Sequence, residues 1–255
     1  MKVMVCGKGG VGKTVLTVLL AEALSERYRT YVVDSDESNI LLPKLLGVPS
    51  PKPLVEYVGG KAEEEEFERR EPDIAKALAR AGQGVRLSLL PDEYISYSAE
   101  GIGLVTIGKV REYGEGCACP FNILTRILLK NLVLEESEVV LVDTDAGIEH
   151  VGRRVEETVD GVLAVVDPTA ESLRSALLLR DIVSKLGKDF WVVANKITPR
   201  TWALISREAG RLGLRIDGVV RFDDDVFEST LLGERLRYKT ALDDVKSLAK
   251  TLKLL

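Results

Sequence analysis

The chain has 255 residues, 45% of them apolar, with 35 basic residues against 40 acidic ones and a formal net charge of −5. That is enough chain to bury a large core in a single domain spanning 1–255, and its weakly acidic balance gives no electrostatic reason to expect a nucleic-acid partner. Three cysteines, the absence of a secretory pattern in MKVMVCGKGG and the lack of any apolar run near the roughly 18 residues that cross a bilayer together predict a cytoplasmic protein with no membrane partner.

In chain order the pattern reads as a strand at 3–6, a helix at 14–27, a strand at 31–34, a charged and solvated helix within KAEEEEFERREPDIAKALARAG (61–82), and strands at 85–90 and 104–107. A helix at 121–132 follows, then strands at 139–142 and 162–166, a helix at 172–186, strands at 190–194 and 215–220, and a helix at 241–252. Several of these strands are apolar almost throughout, as strands covered by helices on both faces are. The alternation predicts an α/β fold, a doubly wound, mostly parallel sheet with helices on both faces. The last helix carries Val245, Leu248, Leu252 and Leu255 on one side but lacks a strongly basic face with aromatic anchors, so it is expected to pack on the domain.

The segment GKGGVGKT (7–14) fits G-x-x-x-x-G-K-[ST] at every position, between the first strand and the first helix. In such a loop Gly7, Gly9, Gly10, Val11 and Gly12 let backbone amides curl around phosphate oxygens, Lys13 neutralises the outer phosphates and Thr14 offers a hydroxyl to Mg²⁺. VVLVDTDAG ends an apolar strand at Asp143, the position from which a carboxylate holds Mg²⁺ through water. Asp145, Ala146 and Gly147 after it form a candidate switch, the glycine permitting a backbone change. YVVDSDESN leaves Asp34 and Asp36 at a strand's C-terminal end, where open α/β sheets bind ligands, although the same acids suit a helix cap. Asn195 in VVANKI follows another buried strand, where a turn residue is the plain reading.

GEGCACPFNILTR (114–126) holds Cys117 and Cys119. They are too close for an easy disulfide and too few for a closed tetrahedral metal site. A helix N-terminus just after them favours thiolates, and if two copies pair about a twofold axis beside them, four sulfurs come together. Two inert thiols are the plain alternative. Cys6 reads as a small buried residue. His150, the one histidine, reads as a structural hydrogen-bonding residue or as a link between the switch and the cysteine loop.

Lys8, directly after the first glycine, makes the loop similar to K-G-G-x-G-K-[ST], and the chain resembles the deviant Walker A ATPases, whose members include MinD, ParA and the nitrogenase iron protein. The resemblance implies an ATP-dependent face-to-face homodimer in which Lys8 reaches the partner subunit's nucleotide. It also implies that Asp36, with Asp34 second, positions the attacking water and that Asn195 reads adenine. Glu37 stands where the family's D-x-D-P has proline. The C-x-C-P segment, DTDAGIEHVGR and DGVVRFDDDV further resemble the CooC-type nickel-insertion ATPases that mature carbon monoxide dehydrogenase. That likeness implies ATP or ADP and Mg²⁺ as cofactors, Ni²⁺ or Zn²⁺ at a shared four-cysteine dimer site, and an apo metalloenzyme such as a carbon monoxide dehydrogenase as client. A MinD/ParA-like switch acting on a protein or membrane partner, and an iron–sulfur scaffold or reductase, are the alternatives, since thiolates accept nickel, zinc and iron alike.

Overall fold

The computed structural model describes residues 1–60, 64–79, 84–109, 119–145 and 155–254. Eight strands form one sheet in the order β3-β4-β2-β5-β1-β6-β7-β8. They are β1 (Lys2–Cys6), β2 (Arg29–Asp34), β3 (Ser96–Tyr97), β4 (Gly103–Thr106), β5 (Glu138–Asp143), β6 (Gly161–Val166), β7 (Asp189–Ile197) and β8 (Gly218–Arg221). All neighbours pair in parallel except β3 with β4.

Successive strand residues point to opposite faces. In β1, Val3 and Val5 enter one core with the helices α1 (Lys13–Ser25), α2 (Leu42–Leu46) and α10 (Ala241–Thr251). Met4 and Cys6 enter the other core with α6 (Cys119–Asn131), α7 (Ala170–Lys185) and α8 (Pro199–Arg211). Because both faces are covered, the central strands read as continuous apolar runs, and the expected doubly wound sheet is what forms. From β1 the chain first builds β2, β4 and β3 on one side and later β6, β7 and β8 on the other. The C-terminal end of β1 is therefore the point where strand order reverses, the place where such sheets bind ligands.

Three expectations need correction. Residues 85–90 form no strand: Val85 makes only isolated bridges to Ala79 and Leu132, and Leu87–Leu89 is a single 3₁₀ turn. The edge of β4 that such a strand would need is taken by β3. The acidic segment is two short helices, α4 (Glu64–Arg69) and α5 (Glu71–Leu78), broken at Arg70 ahead of Pro72. It is not simply solvated, because Phe67, Ile74 and Leu78 are buried and Glu68 and Glu71 pair with Arg126 and Lys130 of α6 at 3.2 and 2.5 Å. The strand expected at 215–220 runs Gly218–Arg221.

The α3 turn (Leu54–Tyr57), α8 and α9 (Asp224–Leu232) complete the set. α8 is started by Pro199 and a capping box between Thr198 and Thr201. α10 buries Val245, Leu248 and Leu252 against α1 and β8, as its sequence predicts; Leu255 lies outside the described residues. No described helix is long and apolar enough to cross a membrane.

Candidate nucleotide site

The glycine loop leaves β1 at the switch point and enters α1 through Gly12, whose left-handed backbone (φ 96°) caps the helix. Gly7 and Gly12 have no room for a side chain: a Cβ on Gly7 would stand 2.5 Å from the Val165 carbonyl oxygen, and one on Gly12 2.4 Å from Nδ2 of Asn195. Gly10 (φ 83°) faces open space. The loop is thus pressed against β6 and β7 on its inner side and open on its outer side, the form a phosphate cradle requires. Val11 is buried, and its carbonyl accepts from Asn195 Nδ2 at 2.9 Å. Gly9 lies between Lys8 and Gly10 on the same loop. Lys13 opens α1 nearly buried, its ammonium 3.4 Å from the Lys8 carbonyl. The Lys8 ammonium, half-exposed, pairs at 2.5 Å with Glu171 in the first turn of α7.

Asp34 and Asp143 end adjacent strands and are register partners, so two carboxylates stand side by side in the core. Asp143 is fully buried and accepts from Thr14 Oγ1 at 2.8 Å, Thr17 Oγ1 at 3.3 Å and Asn39 Nδ2 at 3.3 Å. Burial pushes its carboxyl up to about 6, the Asp36 charge adding to the rise, while Thr14, Lys13 and Thr17 oppose it. A desolvated carboxylate 2.8 Å from a helix-start hydroxyl is short of positive charge, and this oxygen-only donor pair fits Mg²⁺.

Burial pushes Asp34 up to about 7; Lys109 opposes that rise, and Asp143 and Asp36 add to it. Lys109 Nζ lies 2.7 Å from Asp34 Oδ2 and donates to the Asp36 carbonyl at 2.6 Å. The Asp36 carboxylate itself is held in a local turn, accepting from Ser38 N at 2.9 Å and Ser38 Oγ at 2.7 Å. Lys109, Asn39 and Thr17 were not singled out in the sequence. Their roles depend on β4 and β5 lying beside β2, which no local pattern reveals.

Beside the loop a cavity of about 380 Å³ is lined by Gly12, Thr14, Asn195, Lys196, Phe222 and Asp223 among others, so the late DGVVRFDDDV stretch does reach the site. Asp223 builds this wall. Its Oδ1 caps α9, accepting from Asp225 N at 3.0 Å and Val226 N at 3.4 Å, and its Oδ2 accepts from the amides of Lys239, Thr240 and Ala241 at 2.8, 2.7 and 3.1 Å. Burial alone would raise its carboxyl, but the amides of Thr240, Lys239, Ala241 and Val226 outweigh that and hold it at about 2. The folded value lies below the ordinary 3.8, so this stabilisation is present above pH 4 and is lost as pH falls towards 2. Asp223→Ala should therefore cost about 2 kcal/mol in urea unfolding at pH 7 and much less at pH 2.5; equal losses at both pH values would exclude the carboxylate as the cause.

Cys117, Ala146, Gly147 and His150 lie outside the described residues, and of Cys119 only its place as the first residue of α6 is described. Cys6 is buried in the core. Among the described residues no group of three or more His, Cys, Asp or Glu side chains is arranged to hold a metal ion.

Residues 2–112 match the CobQ/CobB/MinD/ParA nucleotide binding domain. The chain is 38% identical over 253 residues, 99% of both chains, to an uncharacterized ATP-binding protein of Methanocaldococcus jannaschii. It is 34% identical over 213 residues to the carbon monoxide dehydrogenase accessory protein CooC of Rhodospirillum rubrum, covering 77% of this chain and 74% of that one. MinD of Pyrococcus horikoshii, solved with Mg-ADP, shares the fold with a TM-score of 0.68 over 98% of this chain and 95% of its own, at 16% identity. With a phosphate-type loop at the switch point of a doubly wound sheet and relatives that match it nearly end to end, this chain belongs to the MinD/ParA family of P-loop ATPases.

Proposed function

We propose that this ATPase is a metallochaperone: nucleotide state controls a homodimer that gathers a nickel ion on Cys117 and Cys119 of both subunits and delivers it to an apo metalloenzyme of the carbon monoxide dehydrogenase kind. The relation to CooC, a carbon monoxide dehydrogenase accessory protein, supports the client. The observation that carries the reading is a link between the two ends of the machine. Ser35, between Asp34 and Asp36, shares a 2.8 Å hydroxyl contact with Thr125 of α6, the helix that starts at Cys119. A shift of the loop after β2 thus acts on the helix whose first residue is Cys119.

In this reading Gly7, Gly9, Gly10, Val11 and Gly12 cradle the phosphates, Lys13 neutralises them, and Asn195 contacts the base. Thr14 and Asp143 hold Mg²⁺, which supplies positive charge to the outer phosphates. Asp36 leaves its turn with Ser38 to orient the attacking water. The deviant lysine, Lys8, leaves Glu171 to reach the partner subunit's nucleotide. The Lys8–Glu171 pair is a solvated surface contact worth no more than about 1 kcal/mol, so it can exchange readily.

Four thiolates close a tetrahedral site. Metal titration monitored by thiolate-to-metal absorbance, alongside sedimentation, should give one ion per two chains in the wild type. The Cys117→Ser, Cys119→Ser double variant should lose that affinity by at least roughly a hundredfold with ATP hydrolysis kept. Full metal affinity in the double variant would remove the metallochaperone reading and leave an ATP-driven switch on a protein partner.

A further inference from the structure

Two non-glycine residues among those described have positive φ, Lys196 at 59° and Lys253 at 58°. Lys253 follows the end of α10, where a left-handed residue is an ordinary helix terminator. Lys196 has no such reason, since it lies inside β7. A strained backbone there persists only if its surroundings impose it.

The pairing of β7 with β8 shows what imposes it. Ala194 pairs with Val219 and Ile197 with Arg221, so three steps along β7 match two along β8. One extra residue is accommodated, which is a β-bulge. In a regular strand Asn195 and Lys196 would face opposite sides of the sheet. With the bulge, both reach the glycine loop. Asn195 Nδ2 donates to the Val11 carbonyl at 2.9 Å, and Lys196 Nζ donates to the Gly10 carbonyl at 2.5 Å. Two consecutive carbonyls at the crest of the loop are thereby turned back towards β7. A carbonyl dipole left free beside a phosphate would repel it, whereas backbone N–H groups attract it. The ammonium also adds a positive charge behind the crest.

We propose that Lys196 is a positioning residue for the nucleotide phosphates: the bulge in β7 exists to bring its ammonium to Gly10, fixing the loop with its carbonyls averted from the anion. This rests on residues 7–14 being the phosphate loop. Lys196 also lines the cavity beside Asn195, so a role on the base side is the competing account.

Calorimetric titration with Mg-ADP and with magnesium pyrophosphate, which has no base, separates the two. Lys196→Met keeps the aliphatic stem and removes the donor; it should weaken both ligands by a similar factor, roughly fivefold to tenfold, with an unchanged melting temperature. Lys196→Arg should restore most of the affinity for both. Lys196→Gly relieves the backbone strain yet also lacks the donor, so it should bind as weakly as Lys196→Met while melting no lower than wild type. Loss of Mg-ADP affinity with pyrophosphate unaffected would assign the lysine to the base and overturn the proposal, as would wild-type affinity in either donor-less variant. Failure of the wild type itself to bind pyrophosphate and Mg-ADP would instead overturn the loop assignment.

Discussion

Lys109→Met should be among the most destabilising single substitutions in this protein, at about 3 kcal/mol near pH 8, or a fall of roughly 10 °C in melting temperature. Asp34 has no solvent exposure, and Lys109 is the cation at 2.7 Å from its carboxylate. Taking the ammonium away leaves a buried charge unpaired and frees the Asp36 carbonyl that it holds at 2.6 Å. The loss is pH-dependent in a definite direction. Lys109 pulls the Asp34 carboxyl down from where burial would put it, and even so it stands at about 7. Both wild type and variant carry a protonated Asp34 at pH 5, so the stability gap should shrink on acidification. The double variant Asp34→Asn, Lys109→Met should recover much of the loss at pH 8, because the orphaned charge has gone. A gap that stays constant from pH 8 to pH 5, or no recovery in the double variant, would show that lost packing and not the ion pair is responsible.

Lys109 also shows where sequence reading stops. The strands β1, β2, β5, β6 and β7 were legible because burial on both faces leaves continuous apolar runs, and residues 7–14 were legible because phosphate binding demands particular residues at fixed local spacing. Residues 85–90, VRLSLL, are apolar except for Arg86 and Ser88 and form no strand, since a strand also needs a free neighbouring edge and β3 occupies that of β4. Phe67, Ile74 and Leu78 were hidden by the charges around them, although they are what docks α4 and α5 on the core. The start of α8 could have been read from Thr198, Pro199 and Thr201, a local capping signal. Lys109 had no such signal. Its contact with Asp34 exists because β4 lies beside β2 with Thr106 opposite Asp34, three residues before the lysine. Asn39 and Lys196 were hidden for the same reason, one acting through β5 and the other through a bulge visible only once β8 is in place.

Asp143→Asn should move activity and stability in opposite directions. Magnesium-dependent ATP hydrolysis should fall by roughly a hundredfold or more, since the amide supplies no charge to hold the cation that neutralises the outer phosphates. The metal-free protein, in contrast, should gain on the order of 2 kcal/mol at pH 8. The reason is that the native carboxylate sits fully buried, and burial outweighs the hydroxyl donors and the Lys13 charge that oppose it, so its folded value of about 6 exceeds the ordinary 3.8. For an acid shifted upward the sign is fixed: the folded state binds the proton more tightly, so wild-type stability rises as pH falls from about 6 towards 4. The variant cannot show that rise, and its advantage should vanish towards pH 4. The substitution fits the site, because the amide oxygen can keep the Thr14 and Asn39 donors while its NH₂ faces the Thr17 hydroxyl, which can turn to accept. Unfolding measured with and without Mg²⁺ across this pH range checks each step, with Mg²⁺ stabilising the wild type and not the variant. A variant less stable than wild type in the absence of metal would mean that the hydrogen bonds to Asp143 outweigh its desolvation. Undiminished turnover would mean that the cation is held elsewhere. The expected pattern is that of a carboxylate kept at a cost to the empty fold because it serves only when cation and nucleotide arrive.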